Sequence, residues 1–282
     1  MASLSHPLES LRWYAGDWEQ QCMFWTCFCI NILFALVFAL LVGGVTAPYG
    51  RYNDQVADKT SGSRMIRALS VCGVHPKIAW ALQECPTLVA AAVCWVHGKP
   101  VCKSSLGNVA LLACFVAHYV NRSVIYPLRM QSSKPVPAPV MLMAMAFCSL
   151  NGYIQCSSLS RLLVVPVDAL HLPLGTLLWA AGWYINTDAD RTLRALRKPG
   201  ETGYKIPRGG LFEYVSGANF FGEALEWVGF AVAMGGALPG LTFAFCTACN
   251  VGPRAFAHHR WYLQKFKEAY PKGRKAFIPL II

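Results

Sequence analysis

Charge is scarce in this sequence. Only 14% of its 282 residues are Asp, Glu, Lys or Arg, against roughly a quarter in an ordinary soluble domain. That shortage excludes a disordered chain, a coiled coil and a nucleic-acid-binding tail. Acid is scarcer than base, with 14 acidic residues, 25 basic ones and a formal charge of +11. There is no Gly-x-Gly-x-x-Gly between a strand and a helix and no Walker A sequence, so neither a Rossmann domain nor a P-loop holds a nucleotide. The segment from Met1 to Gln21 has Glu9, Asp17 and Glu19 but only Arg12. It lacks the basic start of a cleaved signal peptide, and the first apolar run is expected to stay as an anchor. Cys246-Thr-Ala-Cys249 has half the spacing of a zinc site, but no second Cys pair or His pair follows at finger spacing. No metal is expected.

Apolar residues are abundant, at 55% of the chain, and they run together: 27–45 holds no charge at all. A soluble core does not need such a stretch, whereas a bilayer does. Of the twelve cysteines, Cys22, Cys27, Cys29, Cys94, Cys114, Cys148 and Cys246 lie in or beside apolar runs, where a free thiol is a small packing residue. Windows of about twenty residues give seven candidate spans, at 22–46, 78–97, 107–127, 136–156, 168–186, 216–235 and 238–253. The expected fold is an all-α integral membrane protein, a single unit over 1–282 built as a bundle of about seven transmembrane helices. With the N-terminus outside and the C-terminus cytosolic, the cytosolic loops and tail hold 20 basic residues and the other side holds four, Arg12, Lys99, Lys103 and Arg161. That asymmetry sets the orientation. Lipid headgroups and a phosphorylated ligand suit the basic excess better than nucleic acid.

Ionisable side chains inside such spans cost on the order of 3 kcal/mol each on insertion scales, so each asks for a partner or a task. Glu84, Arg122, Glu223 and Glu226 are of this kind, with Gln83, Tyr119, Asn121, Tyr126, Asn186 and Asn219 at comparable depth. One reading pairs the acids with the arginine to fix helix register; the other makes them a site. A second polar set is cytosolic and includes Arg191, Arg194, Arg197, Lys205, Arg254, His258, His259, Tyr262 and Arg274. Topology alone accounts for most of it. Guanidinium groups interleaved with tyrosines also suit a ligand with several phosphates and rings, such as a dinucleotide.

The ordered motifs Leu196-Arg-Lys-Pro-Gly-Glu201, Tyr204-Lys-Ile-Pro207, Gly209-Gly-Leu-Phe212, Tyr214-Val-Ser-Gly-Ala-Asn-Phe220, Gly222-Glu223 and Glu226-Trp227 continue into Arg254-Ala-Phe256, His258-His-Arg260 and Tyr262-Leu263. Upstream stand Leu82-Gln-Glu84 with Pro86, and His118-Tyr119 with Arg122. Over 78–282 the chain resembles the steroid 5α-reductase family; 1–77 shares only a span and a variable basic loop. The resemblance implies a multi-pass enzyme of the endoplasmic reticulum membrane that uses NADPH to reduce the 4,5 double bond of a 3-oxo-Δ4 steroid. It assigns Glu84 and Tyr119 to the steroid ketone, and Arg122, Tyr126, Asn186, Asp190, Arg197, Tyr204, Asn219, Glu223, His258 and Tyr262 to NADPH. Trp80 and Phe243 would line the steroid pocket. Lys205, Ala257, Met143, Cys246 and Asn250 depart from the family pattern, which bears on the substrate more than on the reaction.

These roles are chemically coherent. Conjugate reduction places negative charge on the carbonyl oxygen, so a donor such as Tyr119 aimed at that oxygen lowers the barrier. A protonated Glu84 would donate directly or hold the phenol in place. Other readings stay open at this point: an enoyl-CoA or other lipid-enone reductase, an isoprenylcysteine-type membrane methyltransferase, and a sterol-binding protein without activity.

Overall fold

The computed structural model describes residues 17–44, 73–131, 134–196, 201 and 203–282. Arg197 and most of the basic loop at 48–77 lie outside the described residues. Seven long helices organise the rest: α1 Trp18–Val42, α2 Pro76–Val96, α3 Leu106–Val120, α4 Ala138–Ser157, α5 His171–Ala195, α6 Ala218–Ala233 and α7 Leu238–Phe266. A two-residue antiparallel ladder pairs β1, Gly73–Val74, with β2, Val136–Pro137, tying the entrance of α2 to that of α4.

Each of the seven expected windows falls on one of these helices. Four segments, Trp18–Val42, Pro76–Val96, Leu106–Arg129 and Ala138–Leu162, are long and apolar enough to cross a membrane. The other three differ for visible reasons. Helix α6 has 16 residues, or about 24 Å at 1.5 Å per residue, less than a hydrocarbon layer. Helices α5 and α7 run past their apolar windows to Ala195 and Phe266. Their last turns carry Asp188, Asp190, Arg191 and Arg194, and Arg254, His258, His259 and Arg260. These residues continue a helix well but end a hydropathy window.

Close approach of α5 and α6 depends on four glycines. A methyl group added at Gly175 or Gly182 would overlap backbone atoms of Ala233 or Glu226 on α6, and one at Gly222 or Gly229 would meet those of Asn186 or Trp179 on α5. Small residues are what let helix backbones touch in a membrane. This contact lets the Asn186 amide donate to the Asn219 carbonyl at 2.9 Å.

Two interruptions shape the centre. Pro86 lies inside α2 and cannot donate to the Leu82 carbonyl, which instead faces the Cys85 thiol at 3.7 Å. After α3 the chain forms a π-helical turn, Asn121–Ile125, before the short helix Tyr126–Arg129. The Ser123 hydroxyl donates to the Tyr119 carbonyl within it. Such turns recur at functional sites, and this one carries Arg122.

Buried polar groups staple the remaining elements. Asn108 is fully buried; its amide donates to the carbonyls of Leu159 and Leu163 at 2.5 and 2.6 Å, and its oxygen accepts from Val165 N–H at 2.7 Å. Helix α1 is fixed to α7 by Asn31 Nδ2 donating to Thr242 Oγ1 at 3.1 Å. At the C-terminus, residues 274–276 lie beside 214–217, with Ser216 N–H donating to Lys275 O and Lys275 N–H to Tyr214 O, both at 2.8 Å. The eleven cysteines among the described residues are free thiols.

Candidate active site

Helix α4 holds both expected catalytic side chains. Its Cys148 thiol reaches Glu84 Oε2 at 3.5 Å, and Asn151 Nδ2 donates to the Tyr119 hydroxyl oxygen at 3.5 Å. Among the described residues no hydrogen bond joins Glu84 to Tyr119 directly; they are neighbours through α4. Tyr119 is buried and Glu84 half-buried. Around Tyr119 stand Phe115, with ring centres 4.9 Å apart, His118 at 5.1 Å and Trp227 at 6.3 Å. Phe243 packs on Trp227 at 4.0 Å and completes an apolar wall.

Arg122 is the hub of the neighbouring charged cluster. Its guanidinium lies over the rings of Trp80 and Tyr126, 5.0 and 4.9 Å from their centres, and 3.4 Å from Asp190 Oδ2. The side chains of that pair are only 13% and 10% exposed, so their attraction is weakly screened. Glu84 and Glu223 also act on Arg122 electrostatically, which couples the expected catalytic acid to the expected cofactor residues. Trp80, expected in the steroid pocket, therefore packs against Arg122 and Tyr126, four residues before Glu84 on α2.

The acids divide their partners differently from a simple carboxylate and arginine pairing. Glu226, fully buried, meets His118 Nδ1 at 2.7 Å, while Asp190 takes Arg122. Glu226 Oε2 and the indole nitrogens of Trp80 and Trp183 are buried with no hydrogen-bond partner among the described residues. Trp183 belongs to a cavity of about 430 Å³ lined also by Asn121, Tyr126, Asp190, Arg191 and Arg194. Guanidinium groups, aromatic faces and unpartnered N–H donors together fit a ligand with phosphates and rings.

The remaining expected cofactor residues extend toward the end of α7. His258 packs on Phe220 at 5.1 Å and Arg254 lies over the same ring at 5.0 Å, one residue from Asn219. Tyr204 packs edge-on against Trp261 at 4.8 Å, and Tyr262 stacks on Tyr270 at 5.3 Å. Two members of the second basic set hold the C-terminal segment. His259 meets the Ser216 hydroxyl at 2.6 Å. Arg274, 3% exposed, donates to the Pro207 carbonyl at 3.1 Å and covers the Tyr270 ring. Close by, the Glu213 carboxylate accepts from Gly209 N–H at 2.7 Å and faces Arg274 and Arg208. That hydrogen bond first, and then the two arginines, hold its carboxyl below the usual range.

Residues 134–282 match the family described as 3-oxo-5-alpha-steroid 4-dehydrogenase. Over 252 residues, 88% of this chain and 93% of the relative, the chain is 43% identical to the Mus musculus protein named 3-oxo-5-alpha-steroid 4-dehydrogenase 1. The chain belongs to this family. It is also 46% identical to the Homo sapiens protein of the same name over 211 residues, 74% of this chain and 81% of the relative. With the Rattus norvegicus 3-oxo-5-alpha-steroid 4-dehydrogenase 2 it shares 43% over 251 residues, 86% and 91% of the two. The similarity to steroid 5α-reductases read from the motifs is thereby borne out.

Within this member of the 3-oxo-5-alpha-steroid 4-dehydrogenase family, sequence reasoning took Cys148 only as a packing thiol and passed over Asn151 and Gln155. Their signal was present: polar or thiol side chains three and four residues apart mark one face of an otherwise apolar span.

Proposed function

We propose that this protein is an NADPH-dependent steroid 5α-reductase acting on the 4,5 double bond of a 3-oxo-Δ4 steroid. The observation that carries the reading is the junction of two environments on α2, α3 and α4. Tyr119, with Glu84 beside it, faces an aromatic wall, and one turn onward Arg122 sits between two rings and an aspartate. In the same reading all seven helices lie in the endoplasmic reticulum membrane, N-terminus luminal and C-terminus cytosolic, in keeping with the 20 to four division of basic residues.

The residues that would hold NADPH are Arg122, Tyr126, Asn186, Asp190, Asn219 and Glu223, with Tyr204, His258, Tyr262 and Arg197 toward the cytosol. Bound there, NADPH supplies the hydride for the enone β-carbon. The chain's own part is to prepare the ketone. The Tyr119 phenol donates to the 3-oxo group and draws electron density from the conjugated double bond. As reduction proceeds, charge gathers on that oxygen, and the preplaced donor stabilises it. Glu84, when protonated, donates to the same oxygen or steadies the phenol. Phe115, Trp227 and Phe243 keep water from this bond, so it acts in a low dielectric. The enolate then takes a proton at its α-carbon from water.

Detergent-purified protein should oxidise NADPH with loss of the enone ultraviolet absorbance, giving a product heavier by two hydrogens. A panel containing 3-oxo-Δ4 steroids and enoyl-CoA thioesters tests the substrate class. Reduction of the thioester with none of the steroid would overturn the steroid reading, and no NADPH oxidation with either class would overturn the reductase.

A further inference from the structure

The face of α4 that meets Tyr119 carries a chain of hydrogen bonds whose direction can be read. It begins at the Pro239 carbonyl, which can only accept. The side-chain atom of Gln155 that meets it at 2.8 Å must therefore be Nε2. The same nitrogen lies 3.2 Å from an atom of Asn151, which must then be the acceptor Oδ1. The other end of Asn151 is Nδ2, a donor only, and it faces the Tyr119 hydroxyl at 3.5 Å. Gln155 is fully buried, Asn151 is 4% and Tyr119 3% exposed, so water does not scramble this order. The Tyr119 oxygen is left accepting from Asn151. Among the described residues no group accepts its own hydrogen, which is available to an acceptor in the pocket.

We propose that Asn151, held by Gln155, is a positioning residue that sets the direction of the Tyr119 hydroxyl and makes it a donor toward the substrate ketone. The inference rests on the reading of Tyr119 as that donor. It extends it by explaining why the phenol donates rather than accepts. A free phenol can present either its hydrogen or its lone pairs to a ligand, and only the first polarises an enone. An N–H directed at the phenol oxygen fixes the choice. It also stabilises the charge that grows there as the hydroxyl hydrogen leans toward the ketone, the cooperative strengthening expected along a chain of donors.

A double-mutant cycle tests this. Asn151→Leu keeps the size of the side chain and removes the donor. In the otherwise native enzyme it should lower kcat about tenfold, the scale of one net hydrogen bond, with NADPH affinity unchanged. In a Tyr119→Phe background, where no hydroxyl remains to be oriented, the same change should have no further effect on product formed over long incubations. Gln155→Leu should follow the same pattern with a smaller loss. Equal losses from Asn151→Leu in both backgrounds would mean a packing role only and would overturn the inference while leaving Tyr119 as donor. No loss in the native background would also overturn it. Unchanged turnover in Tyr119→Phe would remove the donor reading itself. Should Asn151→Leu fail to fold, as judged by thermal unfolding and NADPH binding, Asn151→Ala, which also lacks a donor, carries the same cycle.

Discussion

Replacing Arg122 by lysine and by methionine separates the two things its guanidinium does. At 3.4 Å from Asp190 and an effective dielectric of about 20, the direct attraction is about 5 kcal/mol. Most of that is cancelled by the cost of taking both charges out of water. Methionine keeps the length and apolar contact but leaves Asp190, Glu84 and Glu223 without the cation that acts on all three. Removing one partner of a largely buried pair costs about 3 kcal/mol or somewhat more. Lysine keeps the charge and loses the planar stack on Trp80 and Tyr126, for which about 1–2 kcal/mol is the scale of two such contacts. Thermal unfolding in detergent should rank native above Arg122→Lys above Arg122→Met. NADPH titration should show weakened binding in both, since lysine cannot reproduce the fork a phosphate accepts. A methionine variant as stable as the native protein would refute the view that Arg122 balances the cluster. A lysine variant as damaged as the methionine one would refute the division between charge and stacking.

Tyr119→Phe should lower turnover by a hundred- to a thousandfold, about 2.7–4 kcal/mol, with Glu84→Gln lowering it less because an amide still donates; NADPH binding should persist in both, and unchanged steady-state rates would defeat the assignment. Arg197→Ala should weaken NADPH more than NADH, because a fork of N–H donors suits a 2′-phosphate; equal losses for the two cofactors would show that Arg197 does not read that group. Asn108→Ala strips the Val165 N–H and two carbonyls of their partner and should cost about 3 kcal/mol, given 1–3 kcal/mol for an orphaned buried group; a midpoint within error of the native protein would contradict it. Because the Glu213 carboxyl titrates below its usual range, its stabilisation is present above the unfolded value of about 4.3 and is lost as pH falls through the lower folded value. Proteolysis of the C-terminal segment should therefore quicken on acidification below about pH 4.3, and Glu213→Gln should blunt that response; identical acid profiles would rule Glu213 out.

What a sequence reveals here follows from the physics of each signal. A bilayer demands about twenty apolar residues for every helix that crosses it, so the four long apolar segments are plainly legible, and the apolar parts of the other three helices show as shorter windows. Their ends are not legible, because a hydropathy window stops at Asp188 or Arg254 whereas the backbone of α5 and α7 continues helically through both. The π turn at 121–125 is invisible for a related reason: it changes hydrogen-bond spacing and leaves composition alone. Glu84, Arg122 and Glu226 stand out as ionisable groups in apolar surroundings. Their partners do not, since Glu226 chooses His118 across 108 positions of sequence and Asp190 reaches Arg122 across 68.

The same contrast explains why composition left His259 and Arg274 between topology and ligand binding, while the structure shows them packed against the C-terminal segment. Basic residues in a cytosolic tail satisfy a topology rule wherever they point, so composition cannot separate a guanidinium that faces a phosphate from one that anchors a loop. Their contacts separate them. Arg274 is 3% exposed and spends a donor on the Pro207 carbonyl. Arg194, by contrast, lines the cavity with its guanidinium over Tyr126. On α4 the reasoning runs the other way, because Asn151 and Gln155 are uncharged and pass as minor interruptions of an apolar span. Their cost is hidden until the structure shows both buried, and a buried amide without partners is expensive. The Gln155 Nε2 and both ends of the Asn151 amide are spent along one chain from the Pro239 carbonyl to the Tyr119 hydroxyl. The last donor in that chain is aimed at the group on which the proposed reduction depends.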